Sequence, residues 1–440
     1  MKFGSICSGI EAASLSFGSV GIQPSWFSEI SDFPSSVLSH HYPSINNHGD
    51  MNNIPSLVLN RDIDAPEILC GGTPCQAFSL AGLQEGLTDN RGQLTLKFIE
   101  IADAIDTIRA EDNKEKSIIL WENVEGVLKD KTNAFGHFIA GLSGLKTPIE
   151  VKKWSNAGIL YGKTRNIAWR VLDAKFFGLP QQRKRLFVIA TDTNINPELI
   201  LFEKCNNEQL SNLKNLKNLY SNNTSKETLF SINENSQNSN IKLINGEKIE
   251  IFRQYTDCLY SAYGTKWNGN AAAYNGSLYI SQNDRVRRLT PLECERIMGF
   301  PDNYTNIPKS KDTSRYQAIG NSWAIPTVTW LAEQIKSFDI SKQENSWNKH
   351  LTITKEEKEF KLYLLNKDIL TLSIDTHINS SVAPNNIKRG EIFDIIDTNP
   401  ASKLFISSKG ADGILRRKNQ RNINMNRQLE LLFLKNNDAS

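Results

Sequence analysis

A chain of 440 residues is long enough for two or three domains around one sizeable core. Its net charge of +3 neither demands nor forbids nucleic acid, because local patches outweigh the total. No apolar run approaches the roughly 20 residues needed to span a bilayer. The first residues, MKFGSICSGIEAAS, carry no long apolar stretch and no small-residue cleavage site, so a cytoplasmic protein with no membrane contact is expected. The cysteines at 7, 70, 75, 205, 258 and 294 form no CxxC pair and no metal-ligand spacing, which predicts free thiols and no bound metal.

In chain order, the first 190 residues alternate short apolar runs with amphipathic stretches. Strands are expected at 2–6, 25–29, 67–70, 117–121 and 186–190, and helices between them, for example at 92–110 and 134–142. That alternation predicts an α/β fold: a doubly wound, mostly parallel sheet covered by helices. From about 193 to 285 the pattern breaks down. Asparagine, serine and lysine dominate 204–245, a composition that cannot bury a large core alone, so a small inserted module is expected. Organised sequence returns at 286–338, and a polar stretch from 340 leads into a distinct C-terminal region. The expected divisions are therefore a first core segment at 1–192, an inserted region at 193–285, a return to the core at 286–340 and an extension at 341–440.

Several positions carry chemistry. FGSICSGIEAASLSFG at 3–18 reads as strand, glycine turn at Ser8-Gly9, then helix, which offers backbone N–H groups to a ligand. Glu29 lies 20 residues beyond Gly9 and closes WFSEI, where an acid is placed to hold ribose hydroxyls. Asp50, in HGDM, would close a third strand and could accept from an adenine amino group. Helix capping or plain solvation is the competing reading for either acid. GGTPCQAFS at 71–79 and Glu122-Asn123-Val124 put a thiol, Cys75, and a carboxylic acid at two strand ends. A thiolate can add to a pyrimidine ring, and a nearby acid can protonate it. Pro74 would restrict the backbone before the thiol. The alternative for Cys75 is a buried small hydrophobe. Gln181, Arg183 and Arg185 follow Q-x-R-x-R, and period 2 places both arginines on one face.

The order CSGIEA, GGTPCQAFS, ENV, QQRKR, RRLTPxE and GNSxxxP resembles the DNA cytosine-5 methyltransferases, and most closely their phage- and prophage-type members. The resemblance covers 1–192 and 286–338. It implies an S-adenosylmethionine-dependent, Rossmann-like methyltransferase fold with an inserted target recognition domain. It implies transfer of the methyl group of S-adenosylmethionine to carbon 5 of a flipped-out cytosine in double-stranded DNA, through a covalent Cys75 adduct. Glu122 would act at ring nitrogen 3. One of Arg183 and Arg185 would hold the cytosine carbonyl, and the other would brace the site or a phosphate. The resemblance gives Cys7, Gly9, Ile10, Glu29, Ile30, Asp50, Met51, Pro74, Leu94, Asn321 and Ser322 to the cofactor. Gln76 and Ser79 would face DNA. Arg288, Thr290, Pro291, Glu293, Arg296 and Gly299-Phe300-Pro301 resemble a supporting motif. Two positions depart from the family: Cys7 stands where many members have phenylalanine, and Glu11 replaces the second glycine of the first motif.

A cytosine in a duplex must be flipped out, so other surfaces must read its neighbours. Residues 251–280, with YGTKWNGNAAAYNG, suit loops in the major groove, with Lys266, Trp267 and Asn268 as candidates. KGADGILRRKNQRNINMNRQ at 409–428 is basic, and Arg416 and Arg417 would contact phosphates, against the alternative of a solvated capping helix. The expected state is a monomeric, bacterial or phage-encoded enzyme. An RNA cytosine-5 methyltransferase and a non-catalytic DNA-binding protein on the same fold are the alternatives.

Overall fold

The computed structural model describes residues 1–73, 92–213, 240–264, 274–338 and 350–438. These form two compact units, each assembled from separate stretches of chain. The first takes Met1–Asp173, Lys184–Leu210 and Trp323–Asn386; the second takes Ala174–Arg183, Ser211–Ser322 and Ile387–Ser440. Residues 350–438 are thus divided between the two.

The first unit is built on a nine-stranded sheet. Its strands include β1 (Lys2–Ile6), β2 (Gln23–Ser28), β3 (Ile68–Gly71), β4 (Ile118–Val124), β5 (Ala157–Tyr161), β6 (Asn166–Asp173) and β7 (Lys184–Thr191). The order runs from the hairpin Lys355–Glu357 and Phe360–Leu365 through β5, β6, β7, β4, β3 and β1 to β2. β2, β1, β3 and β4 pair in parallel, and the pairings beyond β4 are antiparallel. β6 and Phe360–Leu365 nevertheless point the same way as β4, so six of the nine strands share one direction. β3 is buried at every position, as a continuous apolar strand covered on both faces should be, and β6 is buried throughout although it carries Asn166, Arg170 and Asp173.

Helices cover the sheet because their apolar residues recur with helical period. In helix Gly92–Glu111, Phe98, Ile101, Ala102, Ile105 and Ile108 are all buried. Trp121 of β4 and Phe138 of helix Ala134–Leu142 lie 4.2 Å apart between ring centres within the same core. Helix Ile325–Ser337 starts with proline in its first turn, where no N–H is lost, and its Ile325 carbonyl accepts from Ser16 Oγ at 3.2 Å. Among the described residues no helix is long and apolar enough to cross a membrane.

The second unit holds a four-stranded antiparallel sheet in the order Arg285–Arg288, Tyr279–Gln282, Glu247–Ile251, Ile241–Ile244. Two of its turns are two-residue hairpins, Asn245-Gly246 and Asn283-Asp284, with all four residues at positive φ. That is the turn geometry that matches strand twist, and asparagine, aspartate and glycine tolerate it. Helices Ser408–Gln420 and Arg427–Asp438 supply Ala411, Ile414, Leu429, Leu432 and Phe433 to a core shared with Phe252, Tyr279 and Val286. A buried ion pair stiffens the unit. Arg287 meets Glu293 through two bonds of 2.9 and 2.8 Å, and Glu293 also completes a capping box with Thr290.

Candidate active site

The parallel strands β1, β3 and β4 end on one edge of the sheet, and the chemistry-bearing residues of the first unit sit there. After β1 the backbone alternates through left-handed residues: Cys7 at φ 50°, Gly9 at φ 57° and Glu11 at φ 60°. A Cβ at Gly9 would meet nothing within 4 Å, so the turn leaves open space beside its backbone. Glu29 follows β2 immediately. Its carboxylate accepts from Gly9 N at 2.8 Å and Ser31 N at 2.8 Å, which fixes its direction and leaves lone pairs for a ligand. Asp50 does not close a strand. It caps the short turn Met51–Asn53 by accepting from Asn52 N at 2.9 Å, because the chain before it makes only a single bridge, Asn47 to Phe27. Cys7 Sγ lies 3.8 Å from Met51 Sδ. Burial, and then the charges of Glu29 and Asp50, push its thiol up to about 12, so Cys7 stays neutral and faces both acids. Ile10 is buried, Leu94 packs on the core, and Ile30 is exposed beside Glu29.

The second cluster gathers at the ends of β3 and β4. Glu122 is largely buried, and Arg185 Nε meets its Oε1 at 3.0 Å. The register explains the pair. Arg185 lies opposite Val124 and Phe187 opposite Glu122, so Glu122 and Arg185 are diagonal neighbours on one face. Gly72 backs the carboxylate: a Cβ there would sit 3.1 Å from Glu122 Oε2 and 3.2 Å from Trp323 Nε1. Asn123 donates from Nδ2 to the Thr73 carbonyl at 3.1 Å. Cys75, Pro74, Gln76 and Ser79 lie outside the described residues, as do Lys266, Trp267 and Asn268.

Arg183 lies just before the strand that carries Arg185. β7 begins only at Lys184, and Arg183 belongs to the second unit. There its guanidinium donates to the carbonyls of Ser322 at 2.7 Å, Leu259 at 3.1 Å and Gly320 at 3.2 Å. It ties the end of helix Asp312–Asn321, with its C-cap Ser322, to the 258–259 segment. Gln181 works beside it, accepting from Leu259 N at 2.9 Å and donating to Ile297 O at 3.3 Å. Arg416 is exposed on helix Ser408–Gln420, and Arg417 is partly buried there. Among the described residues no group of His, Cys, Asp and Glu could hold a metal ion.

A family model described as C-5 cytosine-specific DNA methylase matches residues 1–337. The chain belongs to this C-5 cytosine-specific DNA methylase family. The family uses S-adenosylmethionine as methyl donor, and the open turn at Gly9 with the oriented Glu29 fits such a group. A protein of Escherichia phage P1 named DNA N-6-adenine-methyltransferase is 33% identical, over 79% of this chain and 62% of its own length. Type II methyltransferase M1.ScrFI of Lactococcus lactis subsp. cremoris is 30% identical over 66% of each chain. Type II methyltransferase M.MspI of Moraxella sp is 30% identical over 76% of this chain and 70% of its own. The chain thus spans less than two thirds of the phage P1 protein's length.

Sequence reasoning missed two residues of this site and gave no role to Thr73, which lies within GGTPCQAFS. Thr95 lies against Thr73 and Trp323 beside Gly72, yet a lone threonine or tryptophan carries no spacing signal.

Proposed function

We propose that the chain methylates carbon 5 of a flipped-out cytosine in double-stranded DNA. The observation that carries this reading is the Glu122 carboxyl, fixed by Arg185 at 3.0 Å and backed by Gly72, directly before the point where Pro74 and Cys75 follow Thr73. In this reading the Cys75 thiolate bonds to carbon 6 of the ring while Glu122 gives a proton to ring nitrogen 3. The ring becomes an enamine, and carbon 5 becomes the electron-rich atom that accepts the methyl group. Loss of the proton on carbon 5 to a base then lets the carbon 6–sulfur bond break, which returns the Cys75 thiolate, and the proton on ring nitrogen 3 goes back to Glu122. Arg185 holds Glu122 in place and has further donors for the base carbonyl. S-adenosylmethionine supplies the electrophilic methyl group when bound. Gly9, Ile10, Glu29, Ile30, Asp50, Met51 and Leu94 of the first unit would hold it. Cys7 would lie at its adenine end.

The name of the phage P1 relative favours a second reading, methylation of the adenine amino group. That amine carries its own lone pair and needs no thiol adduct, so Cys75 would have no task. More than a third of that relative lies outside the match, so its printed activity does not pass to this chain on the matched part alone.

DNA containing 5-fluorocytosine separates the readings. Fluorine blocks the final proton loss, so the wild-type protein with S-adenosylmethionine is expected to give a band on a denaturing gel that carries DNA. Cys75→Ser is expected to give none while still binding S-adenosylmethionine, because a hydroxyl ionises far less readily than a thiol. No such band from the folded wild-type protein would remove Cys75 from the chemistry.

A further inference from the structure

The sequence segment that carries Cys75 is flanked by two threonines bonded to each other, Thr73 of GGTPCQAFS and Thr95 beyond it. Thr73 is two residues before the thiol, and Thr95 lies in the opening turns of helix Gly92–Glu111, which follows the segment. Their hydroxyl oxygens are 3.2 Å apart, and the residues are 3% and 5% exposed. Trp121 donates from Nε1 to Thr73 Oγ1 at 3.1 Å, which leaves the Thr73 hydroxyl proton available for Thr95 Oγ1. Asn123 holds the Thr73 carbonyl at 3.1 Å. Thr73 is therefore pinned through both its backbone and its side chain, from β4 on one side and from the helix on the other. Buried hydroxyls stabilise little by themselves, and leaving one unmade costs more than an apolar residue would. Apolar side chains would fill this place more simply. What the hydroxyls add is direction: three bonds at one residue fix where the chain leaves β3, and β4 supplies Glu122 from the same short stretch that supplies Trp121 and Asn123.

We propose that Thr95 is a positioning residue for methyl transfer, acting through Thr73 to hold the end of β3, which leads in sequence to Cys75, against the stretch of β4 that carries Glu122. This rests on the proposed function. Thr95 touches neither base nor cofactor in this account.

The test uses the full chain with three substitutions. Thr95→Val keeps the shape and removes the hydroxyl; Thr95→Ser keeps the hydroxyl and removes the methyl group. Trp121→Phe breaks the same chain of bonds from its other end and serves if Thr95→Val does not fold. Two readouts are taken: steady-state methylation, and the rate at which iodoacetamide alkylates Cys75, followed by peptide mass spectrometry. Misplacing a reacting group by about an ångström costs up to on the order of 100-fold in rate. We expect Thr95→Val to lower kcat by at least tenfold (about the lower end of such losses) with KM for DNA and for S-adenosylmethionine little changed. It should also alter the alkylation rate of Cys75, and Thr95→Ser should restore both readouts. Loss in Thr95→Ser but not in Thr95→Val would show a packing role and overturn the proposal. Unchanged kcat and alkylation in a folded Thr95→Val protein would overturn it too. If the wild-type protein methylates no cytosine, the proposed function fails, while the alkylation rates still report whether Thr95 governs the thiol.

Discussion

At the residue scale, the site rests on pairs that strand register creates. Glu122 was legible in the sequence because ENV ends an apolar run, and Arg185 because of its motif. Their partnership was not, since it depends on β7 lying antiparallel to β4 in one register. Arg183 shows the limit of period arguments. Two residues apart in sequence implied one face, but the strand starts between them, and the carbonyls of Gly320 and Ser322 claim the first guanidinium. Glu11 is the other telling residue. It is fully buried at a left-handed position and accepts from Ser14 N at 2.9 Å. Burial raises its carboxyl to about 7, against the bonds from Ser14 that lower it. A carboxyl raised in the folded state favours folding fully below its unfolded value, near 4.5, and loses that contribution as pH rises to about 7. Glu198, bonded by the Tyr161 hydroxyl, is also raised to about 7 and adds to the same slope. Glu11→Gln should therefore gain stability relative to wild type as pH rises across that window, measured by urea unfolding at several pH values. A difference that stays flat with pH would show that Glu11 is not protonated in the folded protein.

At the scale of elements, the four parallel strands and β7 of the first unit were readable from their apolar runs, whereas β5, β6 and the hairpin Lys355–Glu357 and Phe360–Leu365 were not foreseen. The expected helices at 92–110 and 134–142 correspond to Gly92–Glu111 and Ala134–Leu142. The four-stranded sheet of the second unit was not foreseen, although Asn245-Gly246 is a plain hairpin signal. Composition hid it: Ile241–Ile244 and Glu247–Ile251 carry lysine and glutamate, and the apolar partners lie far along the chain in helices Ser408–Gln420 and Arg427–Asp438. Those helices complete the core rather than decorate it. Leu429 is fully buried against this sheet's core, so Leu429→Ala should cost about 2–5 kcal/mol in denaturant unfolding. A loss well under 1 kcal/mol (about the scale of a surface change) would mean that the helices pack there only loosely.

At the scale of the whole molecule, the chain crosses between its two units several times, so no cut of the sequence into consecutive domains reproduces them. The first unit carries the proposed chemistry. The second carries residues proposed to read and hold DNA. Phosphate contacts position a protein without specifying sequence. Replacing Arg416 and Arg417 together by glutamine should weaken binding to all DNA sequences alike and flatten its salt dependence by about one unit of slope per lost phosphate contact. A change in preferred site with the salt slope intact would assign those arginines to base reading instead. The central claim, cytosine carbon 5 as the acceptor, is tested most directly by the products. DNA from cells expressing the chain, digested to nucleosides and separated by mass spectrometry, should contain 5-methylcytosine that disappears when Cys75→Ser is expressed. N6-methyladenine that rises with the wild-type chain and persists in Cys75→Ser, without 5-methylcytosine, would contradict the account.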